Sequence, residues 1–167
     1  MTTDFGVLLR ALATAQVDFI VIGGIAAALH GAARATYDVD VLYARTKENL
    51  ERLVRSLAPL APYPRGAPPG LPFRWDVKTL ERGLNFTLTT AAGQIDLLGE
   101  VTYGGTFEAL LPDTDIATAF GVECRCLSLE RLIAVKRAAG RPKDFEAIAE
   151  LEAILEERNR LWPPEQS

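Results

Sequence analysis

"GGIAAALHGAARATYDVDVL", residues 23–42, opens with two glycines and closes with two aspartates spaced one residue apart. From Arg34 the sequence has a period of two. Arg34, Thr36, Asp38 and Asp40 fall on one face, and Tyr37, Val39 and Val41 on the other, as a strand requires. A buried carboxylate without a partner is strongly unfavourable, so two of them on an apolar strand demand compensation. Upstream, "VDFIVIGG" is a β-branched run stopped by glycines and predicts a buried strand over residues 17–22 that runs into a tight turn. The intervening "IAAALHGAA" is alanine-rich and too short to stand alone, which suits one or two helical turns packed on a sheet. Strand, glycine turn, short helix and acidic strand therefore form one unit.

Working outward, Phe5, Leu8, Leu9, Leu12 and Ala13 predict a helix over residues 4–15. Thr46 is placed to cap a helix carrying Leu50, Leu53, Val54 and Leu57 on its inner side. "APLAPYPRGAPPGLP" holds six of the chain's ten prolines and reads as a surface loop, residues 59–72, forming a flap beside the site. "LNFTLTTAAGQIDLLGEV" reads as a hairpin turning at Ala92-Gly93, with Asp96 between Ile95 and Leu97 on the second strand. "GVECRCL" is a further strand, and "SLERLIAVKRAAG" a helix with Ser128 at its start and Gly140 just past its end. Pro142 opens a final helix that turns Phe145, Ile148, Leu151, Ile154 and Leu155 inward. These elements predict an α/β (α+β) domain, a small mixed sheet flanked by helices. Residues 1–127 are its core, and residues 128–167 are a C-terminal helical segment packed on that core within the same domain.

The composition excludes several classes. No apolar run approaches the ~18 residues needed to span a bilayer, and the amphipathic N-terminus with Asp4 does not read as a signal peptide, so a cytoplasmic location without membrane partners is expected. Cys124 and Cys126 share one strand face, and with His30 the sole histidine the soft ligands are too few for a zinc site; both read as structural thiols. A net charge of −4 denies the molecule a general basic field for nucleic acid, so any such partner needs a local patch.

Asp38, Asp40 and Asp96 carry the chemistry. Three convergent carboxylates on apolar strands are expected to hold cations, and hard oxygen donors favour Mg²⁺ or Mn²⁺. The spacing of two points Asp38 and Asp40 the same way, as two-metal phosphoryl transfer needs. The Gly23-Gly24 turn lets a phosphate approach the backbone.

On "GGIAAALHGAARATYDVDVL", "QIDLL" and "LERLIAVKRAAGRPKDFEAIAEL", which together frame residues 17–155, the chain resembles the minimal nucleotidyltransferases of the DNA polymerase β superfamily. The resemblance is closest to the branch of AbiEii-type toxins of bacterial toxin–antitoxin systems. It implies a polymerase β-like fold and transfer of a nucleoside monophosphate from an NTP to an acceptor hydroxyl. It also implies transfer RNA or a protein as acceptor and a cognate antitoxin as partner. Asp38 and Asp40 look like the metal pair, and Asp96 like the carboxylate that orients and deprotonates the attacking hydroxyl. Gly23 and Gly24 look like the triphosphate cradle. Lys136 and Asp144 match a lysine and an aspartate that matter in that branch, and the resemblance implies that Lys136 binds nucleotide phosphate, with Arg141 and Lys143 nearby.

Several residues keep two readings. Arg34 and Thr36 face phosphate or substrate, or Arg34 pairs with an aspartate when no metal is bound. Asp144 acts at the site or caps the last helix. His30 packs and hydrogen-bonds at a helix end, or contacts the nucleotide. The basic residues Arg131, Lys136, Arg137, Arg141 and Lys143 contact phosphate or RNA, or form a solvated face. For the whole chain, the enzyme stands against a catalytically weak nucleotide- or protein-binding module of antitoxin type. The presence of all three carboxylates favours the enzyme.

Overall fold

The computed structural model describes residues 2–165; residues 1 and 166–167, the outermost ends of the two expected segments, lie outside it. Helix α1 (Phe5–Thr14) starts where the Asp4 carboxylate accepts a hydrogen bond from Val7 N, and it buries Leu8, Leu9 and Leu12. Strand β1 (Phe19–Ile22) is buried along its whole length and passes directly into α2 (Gly23–Leu29). Strand β2 (Asp38–Tyr43) follows, then α3 (Lys47–Leu57), capped by Thr46 as its sequence predicts. Next come β3 (Tyr63–Pro64), α4 (Val77–Arg82), and the hairpin of β4 (Asn85–Thr90) and β5 (Gly93–Leu98). A small ribbon of β6 (Glu100–Val101) and β7 (Gly105–Thr106) leads through α5 (Phe107–Leu110) to β8 (Thr114–Ala119) and β9 (Val122–Leu127). Helices α6 (Leu129–Ala139) and α7 (Phe145–Leu161) complete the chain.

Seven strands form one mixed sheet in the order β3-β4-β5-β2-β1-β9-β8. Strands β2 and β5 pair in parallel, as do β1 and β9, and the other neighbours are antiparallel. Helix α1 packs on α3 and on the sheet, whereas α2 lies over β1 and β2 and meets α6, which meets α7. The apolar side chains of α6 and α7, among them Leu132, Ile133, Ile148 and Leu151, belong to the same continuous core as those of the sheet. Ser128 and Gly140 bound α6 as expected: the serine hydroxyl accepts from Arg131 N, and Gly140 takes a left-handed φ of 63°. Among the described residues, no helix is long and apolar enough to cross a membrane.

Four local expectations change. The period-two segment becomes a strand only at Asp38, because residues 34–37 have no neighbouring strand to pair with; the first rung is Asp38 with Gln94. Tyr37 is accordingly 77% exposed instead of buried with Val39 and Val41. The proline-rich segment is not wholly irregular, since Tyr63–Pro64 adds to the sheet beside β4, where an edge position tolerates proline. A 3₁₀ turn at Pro142–Asp144 precedes the last helix, and Phe145, at its first position, is 60% exposed where an inward side chain was expected, while Ile148 and Leu151 are buried as expected. Strand β8 carried no strong signal in "TDIATA", a short edge strand with its large side chain, Ile116, facing out.

One buried polar residue ties the core elements together. Asn49, fully buried on α3, donates to Asp18 O at 3.1 Å and Ala44 O at 2.7 Å and accepts from Asp18 N at 2.7 Å. It thereby closes the ends of β1 and β2 onto α3. Asn49→Ala should lower the unfolding free energy by about 2–3 kcal/mol, because it strands buried backbone donors and acceptors; urea titration measures this directly.

Candidate functional site

Asp38 and Asp40 alternate with Val39 and Val41 on β2, so burying the valines turns both carboxylates to the opposite face. Strand β5 runs parallel beside it in a register that sets Asp96 directly next to Asp40. Carboxylate oxygens of Asp38, Asp40 and Asp96 all lie within 4.8 Å of one another. Asp38 and Asp40 point the same way, as their spacing predicts, and the strand register brings Asp96 to them.

The two glycines have a structural cause that the sequence did not disclose. Strand β1 ends at Ile22, which pairs with Asp40, so the start of α2 abuts the acidic strand. Gly23 has φ +66°, and a Cβ built on it would fall 2.2 Å from Asp40 Oδ2. A Cβ on Gly24 would fall 2.5 Å from Thr36 Oγ1. The Thr36 hydroxyl in turn donates to Asp38 O at 3.3 Å. Gly23 leaves room for the Asp40 carboxylate, and Gly24 for the Thr36 side chain.

Crowding perturbs the carboxyls. Burial, then the charges of Asp38 and Asp96, push Asp40 up to about 8. Asp38 is also raised, chiefly by burial and by Asp96, with Arg65 acting against the shift. Arg65, which sequence reading did not single out, also reaches the cluster. It sits just past β3, its Nη2 lying 2.9 Å from Asp96 Oδ1 and its Nη1 3.8 Å from Asp38 Oδ2. The available signal was an arginine embedded among prolines in the segment read as a flap.

The donor set fits a hard divalent cation: three carboxylates converge, Asp96 Oδ1 is buried without a hydrogen bond, and no side chain projects from Gly23. Among the described residues this is the single such cluster.

No protein-family model matches the sequence, and no curated protein matches it. The fold does have a solved counterpart. The crystal structure of a candidate nucleotidyltransferase from Thermotoga maritima aligns over 90% of this chain and 89% of that one, with a TM-score of 0.54 and 16% identity. The fold is nucleotidyltransferase-like.

Within this fold, a cavity of about 360 Å³ opens beside Gly23, with apolar walls from Ile22, Leu98, Leu132 and Val135 and with Lys136 and Arg141 on its rim. Asp144 organises that rim. Although it stands at the start of α7, its side chain makes no capping hydrogen bond; it accepts from Arg141 Nε at 2.7 Å and lies 4.0 Å from Lys136 Nζ. Lys143 remains exposed on the turn between α6 and α7.

Arg34 is held elsewhere, 3.2 Å from Glu146 and 3.7 Å from Glu150 on α7, and does not pair with the aspartates. His30 takes the packing role: Arg158 donates to Nδ1 at 3.1 Å, so Nε2–H donates to Leu127 O at 2.8 Å. Of the other basic residues, Arg131 pairs with Asp113 and Arg137 with Glu152. Both cysteines are buried and unbonded, and burial pushes the Cys126 thiol up to about 12. The N-terminus also contributes: buried Thr3 donates to Tyr37 O at 2.6 Å and accepts from Gln94 N at 3.1 Å. It clamps the starts of both acidic strands.

Because Asp40 titrates near 8 in the fold and near 3.8 when exposed, the native state holds a proton that the unfolded chain has lost. That contribution is complete below pH 3.8 and disappears as pH rises through 8. With divalent ions chelated, Asp40→Asn should melt higher than the parent above pH 8, by about 3 °C or more, and show no such advantage near pH 4; thermal melts across pH check this. Gly23→Ala should destabilise the chain by about 2 kcal/mol or more, since it adds both strain at positive φ and a clash with Asp40. Chemical denaturation compared with Gly66→Ala, where nothing lies within 4 Å of the added atom, separates the two causes.

Proposed function

We propose that this protein transfers a nucleoside monophosphate from an NTP to an acceptor hydroxyl, with Asp38, Asp40 and Asp96 holding divalent cations. The observation that carries this reading is the side-by-side register of Asp40 and Asp96, with Asp40 against the side-chain-free turn at Gly23, a glycine that also lines the cavity shared by Lys136 and Arg141. The ion is Mg²⁺ or Mn²⁺, in keeping with an all-carboxylate donor set. When bound, it neutralises the triphosphate and lowers the proton affinity of the acceptor hydroxyl.

The chain's own residues divide the remaining work. Asp38 and Asp40 supply fixed ligands from a single rigid strand. Asp96, on the neighbouring strand, orients the acceptor hydroxyl and accepts its proton. Gly23 and Gly24 leave the backbone open to phosphate. Lys136 and Arg141 offer positive charge to the nucleotide phosphates, and Asp144 holds both in place across the cavity. The apolar walls take the nucleoside, for which about 360 Å³ is adequate room. Thr36 acts through Gly24 and Asp38, Arg34 steadies α7, and Lys143 is free to meet the acceptor.

Within this reading the chain is a minimal polymerase β-type enzyme of the AbiEii-like toxin branch. Its acceptor is a transfer RNA or a protein, and a cognate antitoxin restrains it. The match of "GGIAAALHGAARATYDVDVL", "QIDLL" and "KRAAGRPKD" to that branch supports the assignment.

The protein incubated with each α-labelled NTP, Mg²⁺ or Mn²⁺, total tRNA and candidate proteins should deposit label on one acceptor class. Asp38→Ala and Asp40→Ala should reduce that labelling by at least ~100-fold while keeping native circular dichroism. Absence of label on every acceptor, together with absence of metal-dependent NTP binding, would overturn the enzyme in favour of the binding module.

A further inference from the structure

Arg65 has an unusual combination of contacts. Its backbone is fixed, because Arg65 N donates to Thr87 O at 3.0 Å and the adjoining Pro64 pairs with Leu88 on β4. Its side chain, 23% exposed, crosses from the sheet edge to the acidic cluster. Nη2 donates to Leu88 O at 2.9 Å. The same nitrogen lies 2.9 Å from Asp96 Oδ1, yet without hydrogen-bond geometry, and Nε is buried with no partner at all. The guanidinium is thus held at the carboxylates by charge far more than by directed hydrogen bonds, whereas a structural arginine–carboxylate pair is usually forked and bidentate.

We propose that Arg65 is the resident cation of this cluster: it stands where a divalent ion binds, and the ion must displace its guanidinium. The inference rests on reading Asp38, Asp40 and Asp96 as a cation site, and it does not depend on the transfer reaction. The atoms compete directly. Arg65 engages Asp96 Oδ1 and Asp38 Oδ2, oxygens that an ion between the three carboxylates would also claim. A guanidinium and a divalent ion at the same carboxylate oxygens repel each other. Only movement of the guanidinium takes its charge away from the carboxylates.

Displacement needs no refolding. The backbone of Arg65 stays paired to β4, and rotation about side-chain torsions is enough. The side chain already meets solvent along part of its length, being 23% exposed. Until an ion arrives, Arg65 lowers the repulsion among the carboxylates and keeps the site assembled. Its presence also makes the ion-binding site weaker when nucleotide is absent. A triphosphate, which adds negative charge, would help an ion to win.

The test is nucleotide-free Mn²⁺ binding, read from the free-ion electron paramagnetic resonance signal for the parent, Arg65→Gln and Arg65→Lys. The expected result is about tenfold tighter binding for R65Q, with R65K between R65Q and the parent because lysine keeps the charge but cannot span two carboxylates. A second readout is the Arg65 Nε–H resonance of the parent, which should shift and exchange faster with solvent when Mg²⁺ is added. Unchanged or weaker Mn²⁺ affinity in both variants, with native circular dichroism, would overturn the proposal, as would an Nε–H resonance indifferent to saturating Mg²⁺. Tighter ion binding by R65Q without label transfer by the parent would sustain Arg65's role and remove the transfer reaction instead.

Discussion

Asp40 and Asp96 stand side by side on parallel strands, with Asp38 one step away on the same face, and their mutual repulsion is the constraint around which the molecule is arranged. Like charges this close and partly buried favour protonation, withdrawal or a cation. The fold prevents withdrawal. Val39 and Val41 are fully buried on the opposite face, as are Ile95 and Leu97, and a shift of either strand by one residue would expose them. The carboxylates are thereby held together by apolar packing on the far side of the sheet.

Three features accommodate the charge so confined. Arg65 brings a permanent cation from the sheet edge, Asp40 retains a proton to unusually high pH, and the glycines at the start of α2 leave room beside the cluster. Each is local, but each depends on a distant element. Arg65 is presented by β3 against β4, and the Thr3 hydroxyl bridges the starts of β2 and β5. Asn49 fixes the opposite ends of β1 and β2 to α3. A second charged group, Lys136 and Arg141 gathered by Asp144, lines an apolar cavity that also includes Gly23, the glycine against Asp40.

Much of this was legible in the linear chain. The alternation through Asp38 and Asp40, the hairpin that carries Asp96, and the caps Thr46, Ser128 and Gly140 follow from periodicity and local backbone chemistry. What was not legible depended on pairing between distant segments. The strand expected from Arg34 starts at Asp38 because no neighbour reaches further, and Phe145 faces solvent at the junction of a 3₁₀ turn with α7, while Ile148 and Leu151 beyond it are buried. Arg34 has the spacing of a site residue, yet two glutamates on α7 hold it, over 110 positions away in sequence. Arg65, among prolines, had no periodicity to mark its direction.

The sequence by itself determined which residues carry charge on an apolar strand, and that Gly23-Gly24 precedes them, because side-chain alternation and glycine's conformational freedom are local properties. It also determined that Asp96 lies mid-strand between two buried neighbours. Tertiary structure alone decided that Asp96 stands beside Asp40, that both glycines are required by the closeness of Asp40 and Thr36, and that Arg65 supplies the counter-charge. The reason is physical: strand register and the reach of a side chain across a sheet depend on the packing of the whole core, which no window of sequence contains.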